Sequence, residues 1–148
     1  MGEGTATANG EGSDGRSGGR SVSGLRIPAD KRAPVTLAVL RLSASALSDA
    51  IGGGCLDDAL VGEMGGASYT FYLDEHRVAK GLPGNERAAA LAVRLGHLNR
   101  EWPADLRGDV LVLGCDRHLN DTDIPLAVLD AATQAGLLRK QAGQAGER

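Results

Sequence analysis

The sequence predicts one small α+β domain, a short mixed sheet packed by about three helices, and three observations predict it. Ser68-Tyr69-Thr70-Phe71-Tyr72-Leu73 alternates in the manner of a strand, with Tyr69, Phe71 and Leu73 on one face and Thr70 and Tyr72 on the other. Asn85 precedes a stripe of Ala88, Leu91, Ala92 and Leu95 at helical spacing. The stretch Arg107–Ala132 reads as an apolar strand, a polar loop and a Pro-marked helix.

Taken in order, residues 1–33 are rich in Gly, Ser and Thr and carry few apolar side chains. Such a segment buries too little surface to offset its ordering entropy, so a disordered tail is expected, with Leu25-Arg26-Ile27-Pro28 as a short extended exception. The domain is expected over 34–138, followed by a disordered basic tail over 139–148. Pro34–Leu42 is the first expected strand; its apolar residues fall on both faces, as in a strand covered on both sides or one near the middle of a sheet. Ser43 offers an N-cap to a short helix carrying Ala44, Leu47 and Ile51, which Gly52-Gly53-Gly54 stops. The three glycines lack the GxGxxG spacing and the following Lys-Ser/Thr of a phosphate loop.

Cys55–Val61 reads as a strand, with one helical turn as the alternative, and Gly62–Gly66 as a loop. Asp74-Glu75-His76-Arg77 is a polar turn in which His76 is a solvated residue, and Gly81-Leu82-Pro83-Gly84 is a second, rigid turn. A helix runs from Glu86 to about Leu98, and Trp102 is expected to fold over a core edge. Asp109–Leu113 is a buried strand that Gly114 ends, and a last helix runs from about Ile124 to Leu138 with Thr122 or Asp123 as its cap.

Composition narrows the function classes. The chain has 148 residues, a net charge of −3, 42% hydrophobic residues and 3% aromatics, so its core rests on Leu, Val, Ala and Ile. From Val35 to Leu138 fourteen Asp/Glu face eight Arg/Lys, a net of −6, which repels a phosphate backbone and makes direct nucleic-acid binding by the core unexpected. No segment approaches a signal peptide or the ~20 apolar residues of a membrane span, so a cytoplasmic chain with two reduced thiols, Cys55 and Cys115, is expected.

The candidate chemistry lies in the loop after Gly114. Asp116, His118 and Asp121, with Cys115 and Asp123 beside them, are ligand types that a divalent ion accepts, and loops at strand ends commonly carry function. Their spacing matches no named metal motif. A turn explains Asp116 and Asn120, and a helix start explains Asp121 and Asp123, so the expectation is no metal and no cofactor. Cys115 and His118 lack an orienting third group for nucleophilic catalysis.

Tyr72-Leu73-Asp74-Glu75, Gly81-Leu82-Pro83-x-Asn85 entering a helix, Gly108-Asp109-Val110-Leu111-Val112-Leu113-Gly114, and an acidic loop with Asp123-Ile124-Pro125 follow one another between Thr70 and Leu129. This order resembles a small domain of unknown function found in actinobacteria, phages and plasmids. The Cys115-Asp116-Arg117-His118 run departs from that pattern. The resemblance implies a compact α+β domain in a mobile-element or accessory setting and supplies no catalytic residues. The expected function is therefore a non-enzymatic accessory or protein-interaction module with a protein partner. The alternatives from other classes are a metal-dependent enzyme using the Asp116–Asp123 loop and an acidic DNA-mimic inhibitor. The sequence sets no oligomeric state.

Overall fold

Gly114 sits inside a strand, pressed against the backbone of a segment that the sequence assigns to a helix start. That contact reflects the architecture of the computed structural model, which describes residues 20–97 and 106–138. Six strands and three helices follow in the order β1 (Ser21–Ile27), β2 (Thr36–Arg41), α1 (Ala44–Ala50), β3 (Leu56–Met64), β4 (Ala67–Asp74), α2 (Glu86–Arg94), β5 (Val110–Cys115), β6 (Asp121–Thr122) and α3 (Leu126–Gln134).

The sheet has the order β2-β1-β5-β4-β3, with β6 paired to β5. Every pairing is antiparallel, so the α+β class holds while the expected mixed sheet does not. At the centre lies β5, whose Val110, Leu111, Val112 and Leu113 are fully buried and point to alternate faces. Each such side chain contributes roughly 1.5–3 kcal/mol of transfer free energy. On one face Val110 and Val112 join Leu25, Ile27, Tyr69, Phe71 and Leu73 beneath α2 and α3. On the other, Leu111 and Leu113 join Val22 beneath Leu47, Ala50 and Ile51 of α1 and its end. The result is a sheet covered on both faces.

Several expectations change. The tail boundary at residue 33 falls too late, because β1 begins at Ser21 and pairs with β2 on one side and β5 on the other. The strand expected near the middle of the sheet, Pro34–Leu42, is instead the edge strand β2, with Leu37 52% and Val39 77% exposed. The loop expected over Gly62–Gly66 shrinks to the Gly65-Gly66 turn, since β3 runs on to Met64 and pairs with β4 through a register shift at Asp58/Leu60. Gly114 lies within β5 and does not end it. The Cys55–Val61 strand is present with a one-residue later start.

Local capping follows the sequence at two helices and departs from it at the third. Ser43 accepts from the Ala46 amide and Asn85 from the Ala88 amide, satisfying donors left orphaned at helix starts. The closing helix is shorter than the expected Ile124–Leu138, and its N-cap is Pro125, without a side-chain cap. Asp123 is occupied elsewhere: its Oδ1 accepts from the Ser23 amide at 2.8 Å, and the next amide, Ile124, donates to the Ser23 carbonyl. Because β4 takes one side of β5, β6 pairs on the side that β1 leaves vacant beyond Leu25, and Ser23 seals the join. Among the described residues no helix is long and apolar enough to cross a membrane. Trp102 and the expected C-terminal tail lie outside the described residues.

Candidate functional site

The three residues singled out in the loop after β5 do not converge. Asp116 Oδ1 accepts from the amides of His118 and Asn120, both at 2.9 Å, so it builds the turn it sits in. Those amides, Asn120 first, hold its carboxyl below the usual range. Asp121 Oδ1 accepts from the Tyr72 hydroxyl at 2.6 Å. Burial, reinforced by this bond to a carboxylate, pushes the Tyr72 phenol well up. His118 is exposed, with the Arg117 Nε donating to its Nε2 at 3.4 Å. Leu119 holds the turn in the left-handed region at φ 67° with its side chain exposed. Asp116 does line a surface depression of about 430 Å³, together with Ser68, Cys115, Arg117, Thr122 and Asp123, whereas His118 and Asp121 do not.

A second depression, of about 390 Å³, collects residues scattered through the sequence. Ile51, Gly52 and Gly53 after α1, Asp74 and Lys80 after β4, Leu82-Pro83, and Gly108-Asp109 before β5 line it together. Its walls are fixed by polar contacts. Asp109 takes the Arg26 guanidinium at 3.0 Å on one oxygen and the Ala29 amide at 3.0 Å on the other. Arg26 Nε in turn donates to the Ala50 carbonyl at 2.8 Å, tying the end of α1 to β1. Asp74 is buried. Burial raises its carboxyl, but the Lys80 ammonium and the His76 amide outweigh that and hold it low. A Cβ on Gly54 would collide with this carboxylate, and φ there is +133°, so glycine is required twice over. The glycine run therefore does more than stop a helix.

Beside that wall, Cys55, Glu75 and His76 come together. One ligand atom from each lies within 4.8 Å of the others, and all three side chains are exposed. The backbone sets this up: Leu56 pairs with Asp74, so Cys55 and Glu75 face each other one step further, and the Glu75 amide donates to the Cys55 carbonyl at 2.7 Å. Among the described residues this is the group of His, Cys, Asp and Glu side chains with metal-binding proximity. Sequence reasoning treated Cys55 as an ordinary thiol and His76 as a turn residue. The available signal was the Gly65-Gly66 pair between two apolar runs, a hairpin turn from which the pairing can be counted outward.

Neither a family model nor a curated protein matches the sequence. Among solved structures, the chain is similar to part of one described as the crystal structure of small RNA methyltransferase HEN1, with a TM-score of 0.52 and 14% identity. The match covers 77% of this chain and 16% of that one, so it shows a shared fold and carries no activity across.

Proposed function

We propose that the chain is a non-enzymatic protein-interaction module, an accessory protein of the actinobacterial or mobile-element kind that its resemblance implies. It engages its partner by accepting an extended segment as an additional strand beside β2. The observation that carries this reading is the difference between the two edges of the sheet.

The β3 edge is defended by Asp57, Asp58 and Glu63 and by the irregularity at Asp58/Leu60, devices that discourage strand addition. By contrast β2 carries no charge from Thr36 to Leu40, its one charged residue, Arg41, stands at its end, and its register with β1 is unbroken. The Leu42 amide donates to the Arg20 carbonyl, so in the alternating antiparallel pattern Ala38 and Leu40 bond to β1 while the main-chain groups of Leu37 and Val39 point outward. The same two residues expose their side chains. An edge uncharged over five residues, with outward main-chain groups and apolar anchors at alternate positions, suits an extended peptide.

Val39→Pro removes one outward N–H and blocks strand addition while sparing the bonds to β1. Affinity capture is run with the wild type and this variant in parallel, followed by hydrogen exchange on the recovered complex. The partner is expected only with the wild type, and the Leu37 and Val39 amides are expected to be protected in its complex. Equal recovery by both chains would overturn the reading.

A further inference from the structure

We propose that Cys55, Glu75 and His76 form a binding site for one transition-metal ion of the zinc class, closing the open end of the β3–β4 hairpin. The site lies at the start of edge strand β3, on the opposite side of the sheet from β2, and stands independently of the interaction surface.

The donor set selects the ion. A thiolate sulfur and an imidazole nitrogen favour zinc, cobalt or copper over magnesium and calcium, and a carboxylate oxygen completes a common three-ligand set that leaves one position for water. The geometry is near what such an ion requires. In a tetrahedral zinc centre the ligand atoms lie about 3.3–3.8 Å apart, given bond lengths of about 2.0–2.3 Å. Here they lie within 4.8 Å of one another, and all three side chains are exposed, so rotamer adjustment closes the difference without moving the core. Among the described residues none of the three side chains makes a hydrogen bond or ion pair that metal binding must first break.

The backbone beneath is already fixed. Cys55 and Glu75 are cross-strand neighbours joined by the 2.7 Å amide-to-carbonyl bond. The His76 amide is anchored at 2.9 Å on Asp74 Oδ1, and that carboxylate is packed against Gly54 and bonded to Lys80. The chain is thus held on both sides of the site, at Gly54 by Ser48 and at His76 by Asp74, which lowers the ordering cost of binding.

The test uses the full chain, stripped with a chelator and titrated with Co²⁺, then with Zn²⁺ in competition. The expected result is one equivalent of cobalt with a thiolate-to-metal charge-transfer band, bleached by zinc. Cys55→Ser should abolish the band, His76→Ala should weaken affinity roughly tenfold or more, and Cys115→Ser should leave both unchanged. The metal-free melting curves of the three variants are compared with that of the wild type to confirm that each is folded. Absence of the band from the wild type, its survival in Cys55→Ser, or its loss in folded Cys115→Ser would each overturn the assignment.

Discussion

The Asn85 side-chain amide donates to the Ile27 carbonyl at 2.8 Å, joining the start of α2 to the end of β1 across 58 residues of sequence. The same nitrogen donates to the Gly108 carbonyl at 2.9 Å, while Oδ1 caps the Ala88 amide at 3.0 Å. The Asn85 main-chain amide donates to the Leu106 carbonyl. A residue that reads in the sequence as a helix cap is therefore also the knot that positions β1, α2 and the Gly108-Asp109 entry to β5. It is 1% exposed, so the groups that its side chain serves lose their partner inside the fold when the side chain is cut back.

Asn85→Ala should cost about 3 kcal/mol, combining a lost cap of about 1 kcal/mol with two buried carbonyls left without a donor. Asn85→Asp keeps the cap oxygen but turns the second carboxylate oxygen towards the Ile27 and Gly108 carbonyls, which repel it. The aspartate variant should therefore be the less stable of the two at neutral pH. Urea unfolding midpoints measure the order, and an aspartate variant as stable as the wild type would show that capping alone matters.

Gly114 is the second constraint that tertiary structure imposes. A Cβ there would meet the Asp123 carbonyl and the Thr122 hydroxyl, both on the segment that β5 holds beside it. Gly114→Ala should cost about 2–4 kcal/mol, since backbone atoms must shift to admit it. It should also release β6, exposing the Ile124 amide that bonds to Ser23. Gly24→Ala meets first the Leu113 side chain, which can rotate, and should cost less. Hydrogen exchange at Ile124 distinguishes local release from general loss of stability; unchanged protection in the Gly114 variant would refute the account.

What the sequence showed was what short-range physics decides. Ser43 and Asn85 cap because a side-chain oxygen reaches an amide three residues on, and the alternation in β4 assigns Tyr69, Phe71 and Leu73 to one buried face. What it hid depends on distant partners. β1 carries Ser, Gly and Arg beside Val22, Leu25 and Ile27, and it becomes a strand through pairing with Val110–Val112 far along the chain. The apolar pattern of β2 has the same form whether the strand is central or at an edge. Asp123 looks like a cap by position, yet its acceptor serves Ser23, 100 residues away. In the candidate loop the turn at Asp116 was legible from residue types, whereas Asp121, expected at a helix start, is taken by Tyr72, 49 residues away. Glu75 and His76 are neighbours in one turn, and only the hairpin register brings Cys55 to them.

The contact between Tyr69 and His97 gives the fold a pH dependence of known sign. The Tyr69 hydroxyl and His97 Nε2 are 2.5 Å apart, with the rings edge-to-face at 6.0 Å. Burial pushes the His97 imidazole below its ordinary value and the Tyr69 phenol above its own, so both are neutral near pH 7 and one hydrogen bond serves both. In the unfolded chain His97 titrates near the ordinary histidine value of about 6.5, whereas in the folded chain it titrates lower. Between those two values the unfolded state binds the extra proton, so stability falls as pH drops through that window and levels off below it. The effect is modest because His97 is only partly buried. Replacing it with glutamine keeps a hydrogen-bonding group beside Tyr69 and removes the titration. The urea midpoint of the wild type should therefore fall more between pH 7.5 and about 5.5 than that of His97→Gln. Parallel curves for the two proteins would rule out His97 as the source.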